Sequence, residues 1–89
     1  MRLFEKLLKI LDILRQNMDS SEPLEPLLTP EKLDLSESEW HLVMRRLGDL
    51  GYITGVKDVE SLGKLRKVCL VRPEITLSGL EYLEGWENK

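Results

Sequence analysis

Between Ser36 and Val56 the hydrophobic period of the chain changes from that of a helix to that of a strand across a single glycine. Trp40, Val43, Met44, Leu47 and Leu50 recur at three- and four-residue intervals, the spacing of one helix face. Ser36-Glu37-Ser38-Glu39 fits a capping box, in which the serine accepts from the backbone three residues on and the glutamate reaches back, so the helix begins there. Gly51 ends it at about residue 50, because glycine takes up the left-handed conformation of a helix C-terminus without a Cβ penalty. Tyr52-Ile53-Thr54-Gly55-Val56 is β-branched, aromatic and too short for another helix, and reads as a strand. A chain of 89 residues with this junction is expected to form one α+β domain over 1–89, with a small core.

The flanking segments extend the pattern. A polar, glycine-containing stretch from Asp58 to Lys64 precedes a second apolar β-type run, Lys67-Val68-Cys69-Leu70-Val71, as in a hairpin with a long tip, and Pro73 is expected to stop that strand. Thr76 caps a last helix to about residue 86, carrying Leu77, Leu80, Leu83 and Trp86, with Tyr82 one turn before Trp86. Upstream, Leu3, Phe4, Leu7, Leu8, Leu11, Leu14 and Met18 predict a helix over about 2–18. Ile10 and Ile13 widen its apolar stripe beyond the usual ~100°, so this helix either lies deep in the core or carries a second contact surface such as a dimer seam. Residues 19–28, with Pro23 and Pro26, read as irregular; Thr29-Pro30-Glu31 then starts a short helix over about 30–34.

Helix, short helix, capped helix, hairpin and closing helix is the order of a winged helix-turn-helix: a three-helix core, a β-hairpin wing and a C-terminal helix. Two strings sharpen this. Leu50-Gly51-Tyr52-Ile53 looks like the "GYI" that links a recognition helix to the first wing strand, and Ile75-Thr76-Leu77-Ser78-Gly79-Leu80-Glu81-Tyr82-Leu83 looks like an "LTxxGxxYL" entry to a C-terminal helix. Together they resemble the YjcQ-like family of small bacterial and bacteriophage winged-helix proteins over nearly the whole chain. The resemblance implies a winged-helix scaffold and DNA binding, and it implies no ligand. Gly51 is read as a helix stop and Gly79 as a point of close helix packing, not as partner contacts.

Composition narrows the chemistry. At 42% hydrophobic and 33% charged the chain lies within the range of folded proteins. Cys69 and His41 are the only cysteine and histidine, which allows neither an internal disulfide nor a four-ligand zinc site. Gly63-Lys64 is followed by Leu65 where a phosphate loop needs serine or threonine, and no spacing supports a nucleophile–base set. No enzyme and no cofactor are expected. Charges interrupt the first apolar residues every three or four positions, which fits neither a signal peptide nor a membrane span, so a cytoplasmic protein is expected.

Net charge is −3, yet residues 57–72 carry five basic and two acidic groups. The hairpin is the one basic segment, and Lys57, Lys64, Arg66 and Lys67 are its candidate phosphate contacts. With the core positions of the capped helix removed, Ser38, His41, Leu42, Arg45 and Asp49 form the outer stripe that a recognition helix presents to the major groove, with Arg46 beside it. His41 is placed on the solvent side. Against DNA stand Glu37 and Glu39 at the end that enters the groove. The leading expectation is a double-stranded DNA-binding protein, a bacterial or phage transcriptional regulator, with a homodimer through the first and last helices as its candidate assembly. The alternative is a protein-interaction or assembly module built on exposed Leu42 and Trp86, its partner unidentified.

Overall fold

The computed structural model describes residues 2–59 and 67–88. In chain order it contains α1 (Leu3–Gln16), a 3-10 turn (Glu25–Leu27), α2 (Pro30–Leu33), α3 (Glu37–Asp49), antiparallel strands β1 (Ile53–Val59) and β2 (Lys67–Ile75), and α4 (Leu77–Glu87). This is an α+β fold with the element order of a winged helix. Among the described residues no helix is long and apolar enough to cross a membrane.

The expected caps form. Ser36 Oγ accepts the Glu39 amide at 3.2 Å while Glu39 Oε1 accepts the Ser36 amide at 3.0 Å, satisfying two amides that a helix N-terminus leaves orphaned. Thr29 and Thr76 cap α2 and α4 one way only, each hydroxyl accepting the amide three residues on. Helix α1 stops two residues short of the expected end: Asn17 turns its Nδ2 onto the Ile13 carbonyl at 2.8 Å, and Met18 is left 54% exposed beyond it.

Ile10, Leu11 and Leu14 of α1 are fully buried against Leu28, Leu33, Met44 and Leu47, with Leu7, Leu8 and Ile13 packed around them. The wide apolar arc of α1 is therefore spent inside the molecule. Leu3 and Phe4 of α1 and Leu77 and Trp86 of α4 remain exposed. Phe4 meets Trp86 edge-on with ring centroids 4.8 Å apart, and Arg15 pairs with Glu87, so both ends of α1 are tied to the last turn of α4. Lys6, an interruption in the sequence pattern, buries its stem and donates to the Asp34 carbonyl at the end of α2. Trp40 Nε1 donates to the Leu28 carbonyl at 2.6 Å and ties α3 to the irregular segment.

The two strings quoted above meet in space. The Thr76 amide donates to the Tyr52 carbonyl at 2.9 Å, its hydroxyl donates to the Gly51 carbonyl at 2.5 Å and accepts the Gly79 amide at 3.1 Å. Tyr52 and Tyr82 stack with centroids 4.6 Å apart. Gly51 has φ +75, as a helix stop requires.

Proline does not end β2 as expected. The strand runs through Pro73 to Ile75, and Pro73 is fully buried. Val56 pairs with Leu70 and Thr54 with Glu74, so Gly55 alone faces Val71, Arg72 and Pro73. Within such a bulge the missing proline amide breaks no ladder bond. Both sides bend through left-handed residues, Gly55 at φ +86 and Arg72 at φ +50. The Arg72 amide is taken by Glu25 Oε1 at 2.8 Å, which holds that carboxyl below its ordinary range.

Candidate nucleic-acid interface

Helix α3 buries Val43, Met44 and Leu47 and leaves Ser38, Leu42, Arg46 and Asp49 exposed, with Arg45 half-buried beside them. This is the outer stripe expected from the sequence, with one member missing.

His41 is the exception. It is only 9% exposed, and its Nδ1 accepts the Val68 amide of β2 at 3.1 Å. Its expected solvent-side position is corrected: the hairpin folds over the flank of α3 that carries it. The Trp40 ring meets the imidazole edge-on, with centroids 4.9 Å apart. His41 Nε2 lies 3.8 Å from Glu37 Oε1, and Lys67 Nζ lies 4.0 Å from the same oxygen.

The hairpin packs against α3 at a second point. A Cβ on Gly48 would lie 3.1 Å from Val56 Cβ, so helix and strand approach about as closely as a glycine allows. Between them runs a cleft of about 260 Å³, lined by Arg45, Gly48, Asp49 and residues 53–56 and 58. The α3 stripe and the exposed edge of β1 thus border one depression.

Register sorts the wing side chains. Lys57 faces Cys69 and Val59 faces Lys67, so both lysines lie on the outward face of the hairpin, with Cys69 exposed between them. Val68 is on the inward face and is buried. Lys64 and Arg66, the other two expected wing contacts, lie outside the described residues.

The acids that count against DNA have internal partners. Glu39 is held by the Ser36 amide and then the Ser36 hydroxyl, which keep its carboxyl below the usual range. Glu37 faces His41 and Lys67. Two further acids stand in the cleft, Asp49 and Asp58. Asp58 escaped the sequence reading because it falls in what looks like a turn, whereas β1 runs on to Val59. Among the described residues, α3 and the upper wing carry Arg45, Arg46, Lys57 and Lys67 together with Glu37, Glu39, Asp49 and Asp58, and Leu42 is 40% exposed on the α3 stripe.

Elsewhere, a cavity of about 560 Å³ lies between the end of α1, the irregular segment and the β2 bulge, away from this surface. Among the described residues no group of three or more histidine, cysteine or acidic side chains is arranged to hold a metal. A family model described as YjcQ protein matches residues 8–88 of the chain. No curated protein and no solved structure matches it.

Proposed function

The chain belongs to the YjcQ family, a description that names no activity, and from its surface we propose that it binds double-stranded DNA through α3 and the wing. Ser38, Leu42, Arg45 and Arg46 lie along the major groove, Arg45 in reach of a guanine edge, while Lys57 and Lys67 meet phosphates. Lys64 and Arg66 add to the wing's charge in the same role. A regulator of transcription in a bacterium or phage is the role this serves, and it is a binding role without catalysis.

One observation supports the reading most: the α3 stripe and the β1 edge border a common cleft, so helix and wing offer one continuous surface. The partnering of Glu37 and Glu39 within the protein lowers the repulsion those carboxylates would exert on phosphates. Fluorescence anisotropy on a mixed-sequence duplex tests it. With three or four phosphate contacts, the logarithm of affinity falls against the logarithm of salt with a slope of roughly −3, and Lys57→Ala makes that slope shallower by about 0.9. Absence of salt-sensitive binding at low ionic strength refutes the proposal.

Among the described residues, the equal number of cations and anions on α3 and the wing, with exposed Leu42 on the α3 stripe, favours a second reading, a protein-interaction module. The two part on Leu42→Glu and Lys57→Ala: DNA binding is lowered by both, whereas a protein contact centred on Leu42 is lost with the first and survives the second.

A further inference from the structure

We infer that His41 is a proton-sensitive latch that fastens the wing to α3. The inference rests on the DNA-binding reading only for its consequence, and its geometry stands apart from it.

The imidazole is buried and accepts the Val68 amide through Nδ1 at 3.1 Å. A neutral ring that accepts at one nitrogen carries its proton on the other, so the proton sits on Nε2, on the side of Glu37. A second proton must enter at Nδ1. The imidazolium then turns an N–H donor toward the N–H of Val68, and the bond is lost. Flipping the ring does not rescue it, since a C–H then faces the amide.

Val68 has no alternative partner on β1. The two members of a directly opposed antiparallel pair either both bond across the ladder or both point away. Val68 opposes Asp58, and its amide points to α3. The amide is buried, so once released it is satisfied only if the start of β2 moves out to water.

Among the described residues two charged groups face the ring: Glu37 from α3, which favours the imidazolium, and Lys67 from β2, which opposes it. Their side chains are 71% and 48% exposed, where ion pairs count for little. The buried hydrogen bond decides. Acidification therefore loosens Lys67 and Val68 from α3, and with them the alignment of wing and helix on which the proposed DNA surface depends.

The test uses nuclear magnetic resonance on the ¹⁵N-labelled full chain without DNA, between about pH 8 and about pH 5, where histidine changes charge. At the upper end the imidazole nitrogens report a proton on Nε2. As the ring titrates, the Val68 amide resonance moves with it, and its exchange protection, corrected for intrinsic rate, falls about tenfold or more. His41→Asn places a non-titrating acceptor, Oδ1, where Nδ1 stood and holds that protection level. Three results overturn the inference: a neutral ring protonated on Nδ1, a Val68 amide indifferent to the titration, or the same fall in His41→Asn. Should that variant not fold, the two wild-type readouts decide alone. No readout involves duplex binding, so a protein that shows the latch and binds no DNA refutes the DNA-binding reading and leaves the latch standing.

Discussion

Helix α4 contains two glycines whose replacement by alanine has opposite consequences. At Gly79 a Cβ would press deep into the Tyr52 carbonyl oxygen and lie 2.8 Å from Ile75 Cγ1. That carbonyl is backbone, and it already accepts the Thr76 amide at 2.9 Å, so it cannot swing aside without parting α4 from the base of the hairpin. Alanine gains about 0.5 kcal/mol of helix propensity this near a helix end, while overpacking of this kind costs about 1–3 kcal/mol and more where backbone must shift. With the clash near the top of that range, the net loss is about 2.5 kcal/mol. For a domain of this size that lowers the melting temperature by roughly 10–20 °C. At Gly85 nothing lies within 4 Å of the added carbon. There the propensity term acts alone, reduced near the helix end to about 0.5 kcal/mol, and raises the melting temperature by roughly 2–4 °C. Thermal unfolding followed by far-ultraviolet circular dichroism measures both. A Gly79→Ala protein that melts at or above the wild type refutes the packing argument, and a Gly85→Ala protein that melts lower means something occupies the space beside it.

Trp40→Phe keeps most of the buried ring but removes the donor to Leu28, leaving that carbonyl without its indole partner; urea unfolding registers a loss of about 1–2 kcal/mol, and an unchanged midpoint contradicts it. The Glu39 carboxyl is held low by Ser36, so the stability it adds is complete above the ordinary glutamate range and disappears as pH falls through its own lower value. Glu39→Gln accordingly flattens the acid limb of stability below about pH 4, and an acid limb as steep as that of the wild type counts against the capping role.

The sequence announces the α3 capping box, the Gly51 stop and the Thr76 cap because each acts within a few residues of itself, where side-chain chemistry alone decides. The site was legible to a lesser degree. Helical periodicity shows that His41 lies off the core stripe of α3, but it cannot show that a second element covers that flank. That depends on β2, whose Val68 is distant in sequence. Pro73 misled for a related reason: proline ends a regular strand, and only the unequal spacing across the hairpin reveals a bulge that accepts it. The partnering of Glu37 by Lys67 likewise joins elements whose meeting no local pattern encodes.

The bulge settles more than the fate of one proline. In an unbroken strand, residues three apart look in opposite directions, yet Ile53 and Val56 both turn to the core, as do Leu70 and Pro73. The hairpin is a ribbon turned over once, partway along, at Gly55 and Arg72. Its two halves show the helices opposite sides of the same ribbon, the lower to α1 and the start of α4 and the upper to α3. The side that bears Lys57 and Lys67 above the turnover is therefore continuous with the side that is hidden below it. Two left-handed residues, Gly55 and Arg72, set the direction in which the charge of Lys57 and Lys67 is aimed.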